Sequence, residues 1–144
     1  VKKSIKSGKP FLGICLGLQL LFSQAEEFGS VSGLDIIKGK VVGFVDAKLK
    51  SDIGEPLKIP HMGWNDLSVL KEHALTKGLS AQDQVYFVHS FAHTVNDATL
   101  VSGEYGQAFS AIVAKDNYAG MQFHPERSAK VGTRLLQNFL DWQL

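Results

Sequence analysis

The sequence predicts an α/β fold in which helices flank a central mixed sheet. Two observations support this prediction. Strand-like and helix-like segments alternate loosely along the chain without repeats or a low-complexity linker, and the C-terminal segment repeats its apolar residues with helical spacing. A chain of 144 residues, 44% of them hydrophobic, has the size and composition of one domain with its own core, so we expect residues 1–144 to form a single domain.

The remaining elements follow from the apolar pattern in chain order. They are a helix end at 1–7 with Gly8 as its stop, a buried strand at 10–14, a helix at 16–24, a loop at 29–39 that contains a short strand at 34–37, and strands at 40–45, 66–70, 85–89, 99–104, 108–115 and 119–123. The final helix is the clearest, and Ser128 is its predicted N-cap. Its apolar face is formed by Val131, Leu135, Leu136, Phe139 and Leu140.

The only cysteine of the chain, Cys15, lies between the predicted strand at 10–14 and the predicted helix at 16–24. A thiol at such a junction meets the unpaired N–H groups of the helix start, which favour a thiolate. We expect Gly13 to permit a sharp turn before the nucleophile and Gly17 to permit close packing of the helix. The alternative is a buried structural cysteine, which the two flanking glycines make less suitable.

A second motif, Gly120-Met121-Gln122-Phe123-His124-Pro125-Glu126, lies near the other end of the chain. Residues two apart in extended backbone project to the same side, so His124 and Glu126 are expected to lie close together. His124 is then a candidate base for Cys15, and Glu126 a candidate to hold its tautomer. Alone, such a pair is typical of a surface strand end or of a charge in the first turn of a helix, but together with the cysteine turn it predicts a Cys-His-Glu triad.

These two motifs resemble the class I glutamine amidotransferases, whose triad releases ammonia from glutamine on a flavodoxin-like sheet. The stretches Pro60-His61-Met62-Gly63-Trp64-Asn65 and Tyr86-Phe87-Val88-His89-Ser90 resemble one branch of that family. In that branch a glutaminase subunit passes ammonia to a cyclase subunit in histidine biosynthesis. The resemblance extends from about Lys9 to the C-terminus, and no segment before Cys15 resembles the family's glycine-rich loop, which supplies a second oxyanion donor. The chain therefore looks like a member that lacks its N-terminal portion, with an unprotected strand and very weak activity by itself.

The resemblance implies further site residues. The backbone N–H of Leu16, directly after the nucleophile, is the expected oxyanion donor. Gln19, one helical turn after Cys15, and Glu27 are implied to bind glutamine, although each could instead be a solvated surface residue. His89, Ser90 and Phe91 match the stretch that grips the substrate carboxylate, where many relatives have Tyr in place of Phe91. Trp64, Asn65 and Arg127 are implied to border the cyclase, with a solvated charge as the alternative for Arg127.

Composition argues against several other classes of function, but by itself it does not indicate a glutamine amidotransferase. The formal net charge is +1, which does not indicate a nucleic-acid partner or a membrane partner. One cysteine allows no internal disulfide, the spacing of metal ligands is absent, and we expect no cofactor and a cytoplasmic location. His61 is expected to be structural, and His73 and His93 to be surface residues. Two alternatives stay open: a glutaminase of another pathway, and a non-catalytic regulatory module on the same fold.

Overall fold

The computed structural model describes residues 1–44 and 50–142. Mixed sheets with a few helices against them confirm the predicted α/β class. The helices are α1 (Lys2–Lys6), α2 (Leu16–Gln19) and α3 (Ala129–Leu140), with single turns of 3₁₀ helix at Ala74–Thr76 and Pro125–Arg127. The strands are β1 (Phe11–Ile14), β2 (Phe22–Ala25), β3 (Val31–Ser32), β4 (Ile37–Gly43), β5 (His61–Asp66), β6 (Ser68–Val69), β7 (Gln84–His89), β8 (Phe91–His93), β9 (Thr99–Glu104), β10 (Ala108–Lys115) and β11 (Tyr118–Met121).

The largest sheet has the strand order β1-β11-β10-β9-β6. Strand β1 runs parallel to β11, and the other neighbours in this sheet are antiparallel. A second sheet has the order β3-β2-β4-β8, and β5 pairs with β7 in a third. This arrangement places the parallel pair β1 and β11, which carries both sequence motifs, on one side of the main sheet.

The predicted helix at 16–24 is wrong in its second half. Helix α2 ends at Gln19, and Phe22–Ala25 is strand β2, which pairs in parallel with β4 from Phe22 opposite Ile37. Leu18, Leu21 and Phe22 are all fully buried. A short, mostly apolar run is compatible with either a buried helix or a buried strand, and here pairing with β4 decides for the strand.

The predicted strand at 66–70 is also different in the structure. The chain leaves one sheet at Asp66, opposite Gln84, and enters another at Ser68, opposite Ser102. Leu67 between them is buried, so it anchors the crossing from β5 to β6. Within the predicted loop at 29–39, the short strand lies at Val31–Ser32 instead of 34–37, and β4 begins at Ile37. Residue 45, the predicted end of the next strand, lies outside the described residues.

Helix α3 packs closely against the turn that follows β11. A Cβ at Gly132 would lie 1.8 Å from the Pro125 carbonyl oxygen, so only glycine permits this approach. Ser128 holds the N-cap position without capping the helix, because its hydroxyl donates to the His124 carbonyl oxygen and accepts from the Tyr86 N–H. Leu140, predicted on the apolar face, is 75% exposed.

Most buried residues form two apolar clusters. One lies between the main sheet, the β5-β7 pair and α3, and it includes Phe87, Phe109 and Leu135. The other lies against α1, α2 and β4, and it includes Leu18 and Phe22. Buried side chains of this second cluster therefore pack against α2, the helix that follows Cys15. Among the residues that the structure describes, no helix has the length and apolar character needed to cross a membrane.

Candidate active site

The parallel pairing of β1 with β11 brings the two motifs together. Ile14 lies opposite Met121, and the N–H of Cys15 donates to the Met121 carbonyl oxygen at 2.8 Å. His124 follows three residues later, where its N–H donates to the Tyr86 carbonyl oxygen at 3.0 Å. The carboxyl ends of parallel strands meet at one edge of a sheet, the usual location of ligand sites in α/β folds. Cys15 and His124 therefore lie at the same edge.

Cys15 occupies a strained backbone conformation at this edge, with φ 53° and ψ −110°. Such positive φ values are uncommon for residues with a side chain and are concentrated at functional turns. The turn is made by Cys15 itself. Gly13 instead allows α2 to lie against β1, because a Cβ there would be 2.4 Å from the Gly17 carbonyl oxygen.

The predicted role of Gly17 is wrong. A Cβ at Gly17 would meet no atom within 4 Å, so close packing of α2 does not depend on it. The second glycine that packing requires is Gly120 on β11, where a Cβ would be 2.3 Å from Cδ1 of Leu18. The cysteine turn is therefore enclosed by glycines from β1 and β11.

The Cys15 sulfur is half-buried and has two polar neighbours. Sγ lies 4.0 Å from the Val88 carbonyl oxygen and 3.9 Å from Nε2 of Gln122. Burial raises the pKa of the thiol above its ordinary value, the charges of Glu126 and Glu27 raise it further, and the Leu16 N–H lowers it. The Leu16 N–H at the start of α2 thus favours a thiolate as predicted, but burial outweighs this effect in the structure.

His124 and Glu126 lie close together as predicted, but Glu126 is in a 3₁₀ turn and not in the extended backbone that the prediction assumed. Nδ1 of His124 lies 2.7 Å from Oε1 of Glu126, and Pro125 begins the 3₁₀ turn that carries the glutamate. A carboxylate accepts only, so Nδ1 carries the proton and Nε2 is left as the basic nitrogen. Within the described residues no hydrogen bond joins Sγ of Cys15 to His124. Such catalytic contacts often tighten only when substrate is bound.

A pocket of about 350 Å³ opens beside the Cys15 sulfur. All five predicted glutamine-binding residues line it together with the nucleophile and the predicted oxyanion donor. The lining residues are Cys15, Leu16, Gln19, Glu27, Pro60, Val88, His89, Ser90 and Phe91. Residues from four separate parts of the chain thus enclose one cavity of the size of a small ligand.

Gln19 is a buried residue of this pocket and not a solvated one. Gln19 is only 7% exposed. Its Nε2 donates to the Phe91 carbonyl oxygen at 3.0 Å and to Oε1 of Gln122 at 3.1 Å. Both amide hydrogens of Gln19 are therefore used inside the protein. Its contribution to the pocket is to hold the wall formed by Phe91.

The neighbouring glutamates Glu26 and Glu27 separate in the structure. Glu26 pairs with Nζ of Lys40, which holds the pKa of its carboxyl below the ordinary value. Glu27 is half-buried and lines the pocket, where its charge acts on the Cys15 thiol. Only the second glutamate is therefore available to a ligand of this pocket.

His89, which lines the pocket, is paired with His61. Nδ1 of His61 and Nε2 of His89 are 2.9 Å apart, and Nδ1 of His89 lies 2.9 Å from the Phe91 carbonyl oxygen. Burial lowers the pKa of His61 to about 4 and that of His89 to about 3. The structural role predicted for His61 fits this pairing. The surface position predicted for His93 is wrong, since His93 is buried with its ring stacked 4.0 Å from that of Phe22.

Two of the predicted docking residues meet over Tyr86. Trp64 is 52% exposed and lies edge-on to the Tyr86 ring at 6.2 Å, while the Arg127 guanidinium lies 4.9 Å above the same ring. Asn65 faces inward instead. Its Nδ2 donates to Nε2 of His61 at 3.2 Å and to the Glu104 carbonyl oxygen at 2.7 Å. Trp64 and Arg127 therefore form one aromatic and cationic surface, and Asn65 lies beneath it.

Sequence reasoning missed two residues of the site, Gln122 and Val88. Gln122 is fully buried, and its side chain links Gln19 to the Cys15 sulfur. Its signal is a polar amide inside the apolar run that leads to His124, at a position where a strand would bury its side chain. The contact of the Val88 carbonyl oxygen with Cys15 depends on the position of β7 relative to the cysteine turn, which the sequence does not indicate. No cluster of three potential metal ligands occurs within residues 1–44 and 50–142.

Comparison with known proteins identifies the family. The profile of the family described as Glutamine amidotransferase class-I matches residues 1–142. The chain belongs to the class-I glutamine amidotransferase family. It is 48% identical to the imidazole glycerol phosphate synthase subunit HisH of Syntrophotalea carbinolica, over 98% of this chain and 68% of that protein. It is 46% identical to the HisH subunit of Aromatoleum aromaticum, over 99% of this chain and 68% of that protein.

The class-I glutamine amidotransferase fold is also found in solved structures. A glutamine amidotransferase from Thermotoga maritima matches with a TM-score of 0.59 and 19% identity, over 97% of this chain and 50% of that one. The predicted family, and the predicted resemblance to one branch of it, are confirmed by these comparisons. The chain spans about two thirds of the length of the HisH subunits that it matches, 68% for both of those named above.

Proposed function

We propose that this chain is the glutaminase subunit of an imidazole glycerol phosphate synthase, which hydrolyses glutamine and passes the ammonia to a cyclase subunit. The observation that supports it best is the pocket at the end of β1 and β11. A single cysteine on a strained turn lines that pocket, and a hydrogen-bonded His124–Glu126 pair follows the adjacent strand. Nucleophile, base and orienting carboxylate are the parts that covalent amide hydrolysis requires.

The proposed reaction has two halves. The Cys15 thiol gives its proton to Nε2 of His124, and its sulfur attacks the carboxamide carbon of glutamine. The Leu16 N–H donates to the oxyanion that forms. His124 then protonates the leaving nitrogen, and ammonia departs from a glutamyl thioester. Water, deprotonated by His124, attacks the thioester carbon, so that glutamate leaves and the Cys15 thiol is restored.

The remaining pocket residues fit the polar ends of glutamine. The Glu27 carboxylate suits the α-amino group, and the backbone of Ser90 and Phe91 suits the α-carboxylate. Phe91 has no phenolic hydroxyl, so a contact through that group is not part of the proposal. Gln19 holds the Phe91 carbonyl oxygen and thereby shapes the pocket.

The cyclase partner is proposed to dock on the surface formed by Trp64, Tyr86 and Arg127. Aromatic residues and arginine are the types enriched at protein interfaces, and here the half-exposed Trp64 and the exposed Arg127 both pack on Tyr86. The HisH relatives are named as subunits of a synthase, which supports a partner of this kind. The Tyr86 carbonyl oxygen accepts from the His124 N–H, so this surface adjoins the catalytic strand end.

The test is glutaminase activity with and without a cyclase subunit. A glutamine analogue carrying an electrophilic carbon is expected to label the chain once, because it has one thiol. Cys15→Ala is expected to abolish both labelling and ammonia release. Undiminished ammonia release by that variant would contradict the proposed chemistry. Activity that a cyclase does not stimulate would instead point to a glutaminase of another pathway.

A further inference from the structure

Gln122 is a buried side chain that the proposed reaction leaves without a role. Gln122 follows β11 directly and is fully buried. Its backbone N–H donates to the Ala111 carbonyl oxygen at 2.9 Å. Its side chain lies between Gln19 and the Cys15 sulfur. A buried amide is costly unless its hydrogen bonds are made, so its orientation is informative.

The orientation of the Gln122 amide is fixed by a chain of donors and acceptors. The Phe91 carbonyl oxygen only accepts, so the side-chain nitrogen of Gln19 must face it, at 3.0 Å. The same nitrogen has a second hydrogen, which points to Gln122 at 3.1 Å. The atom that receives it must be Oε1 of Gln122. Nε2 of Gln122, with two N–H donors, then faces the Cys15 sulfur at 3.9 Å.

The two polar neighbours of the sulfur act in opposite directions. The Val88 carbonyl oxygen, 4.0 Å away, accepts from the protonated thiol and has nothing to donate to a thiolate. The Gln122 amide can donate to the sulfur in either state, and a hydrogen bond to an ion is about twice as strong as a neutral one. The charged groups that act on the sulfur are Glu126 and Glu27, which disfavour the thiolate. His89, whose ring nitrogens contact His61 and the Phe91 carbonyl oxygen, lines the same pocket.

We propose that Gln122 is a further catalytic residue, whose side-chain amide donates to the Cys15 sulfur and stabilises the thiolate that attacks glutamine, while Gln19 holds that amide in place. This inference rests on the proposed role of Cys15 as the nucleophile. In this proposal Gln122 adds to the stabilisation of the thiolate by the N–H groups of α2, a helix of only four residues. Burial of the amide keeps water from competing for the sulfur.

The test uses the single thiol of the chain. The rate of Cys15 alkylation by iodoacetamide, measured against pH, gives the thiol pKa without background from other cysteines. Gln122→Glu keeps the shape and the acceptor for Gln19 but replaces the donor, and Gln122→Met removes the donor without adding charge. Both variants are expected to raise the thiol pKa by about one unit, which is about tenfold less thiolate at pH values below the pKa. Gln82→Glu, at an exposed position, makes the same charge change as a control and is expected to leave the pKa unchanged.

A rise in Gln122→Glu alone would assign the effect to the added charge and overturn the proposal, as would an unchanged pKa in both variants. The unchanged chain provides a second measurement that requires no variant. The ¹⁵N and ¹H signals of the Gln122 side-chain amide are expected to shift with the Cys15 titration, and their constancy across it would also overturn the proposal. These readouts do not involve glutamine hydrolysis. Failure of the proposed function would appear separately, as ammonia release that survives Cys15→Ala.

Discussion

Nδ1 of His61 donates to Nε2 of His89 across 2.9 Å, and the neighbouring bonds determine which nitrogen carries each proton. His89 must donate from Nδ1, because its partner there is the Phe91 carbonyl oxygen. His89 Nε2 is then the acceptor, so His61 donates from Nδ1. His61 Nε2 accepts from the amide of Asn65. The bonds are consistent only when both imidazoles are neutral, and the low pKa values of about 4 and about 3 agree with this.

The neutral histidine pair predicts a loss of stability in acid. Both pKa values are lowered from 6.5 in the folded protein, to about 4 for His61 and about 3 for His89. Well above pH 6.5 both histidines are uncharged in the folded and in the unfolded protein, so the full free energy of unfolding is present. As the pH falls from 6.5 towards 4, the unfolded chain binds protons that the folded chain does not, and each histidine costs about 1.4 kcal/mol per pH unit.

Urea unfolding at several pH values between 7.5 and 4.5 measures this slope. His61→Phe with His89→Phe removes both titrating groups while keeping aromatic rings among Phe44, Phe87 and Phe109. The double variant is expected to lose less stability over that pH range than the parent protein. Equal slopes for the two proteins would show that the pair does not carry the acid sensitivity.

The second prediction separates the base from the residue that orients it. His124→Ala is expected to reduce glutamine hydrolysis by about a hundredfold or more, because proton transfer by a positioned side chain contributes about that much. Glu126→Gln is expected to cost less, since the carboxylate is 53% exposed and only supports the imidazole. Ammonia release at saturating glutamine compares the two. The exposed Glu72→Gln is the control for loss of a carboxylate, and a larger loss from Glu126→Gln than from His124→Ala would reverse the assigned roles.

The third prediction compares two glycines of the cysteine turn. At Gly13 a Cβ would be 2.4 Å from a backbone oxygen, so Gly13→Ala is expected to destabilise the protein by about 2 kcal/mol or more through strain. At Gly17 a Cβ meets open space within helix α2, where alanine is favoured over glycine by about 0.5–1 kcal/mol. Gly17→Ala is therefore expected to keep or increase the free energy of unfolding. Urea unfolding of both variants tests the difference, and equal destabilisation would contradict the packing described here.

Sequence reasoning predicted the parts of the fold where one local pattern has one structural solution. Strands β9 and β10 have the predicted bounds, 99–104 and 108–115, because β-type apolar runs there are closed by polar turns. The prediction for the run from Leu16 to Ala25 was wrong in its second half, because a short, mostly apolar run fits both a helix and a buried strand. Pairing of this half with β4, a separate segment of the chain, decided its structure.

The candidate site was predictable where spacing determines geometry. His124 and Glu126 are two residues apart and make the predicted contact, although a 3₁₀ turn at Pro125–Arg127, and not the extended backbone assumed in the prediction, brings them together. The environment of Cys15 was not predictable in the same way, because burial, Glu27 and the Val88 carbonyl come from other parts of the fold. The inward direction of Asn65 likewise depends on His61 of β5 and on the Glu104 carbonyl oxygen at the end of β9.

The last prediction concerns the surface over Tyr86. Arg127→Glu removes the cation from the Tyr86 ring and reverses its charge, so we expect about tenfold weaker binding of a cyclase subunit. Asn65→Ala with Arg127→Glu is expected to weaken binding and glutamine-dependent product formation further, because Asn65 also supports His61 beneath the same surface. Lys3→Glu on α1 makes an equal charge change at an exposed position and serves as the control. Calorimetric titration with the cyclase measures the affinity. If the double variant binds and turns over as the Lys3→Glu control does, docking involves another face, because neither the guanidinium nor the amide then contributes to the contact.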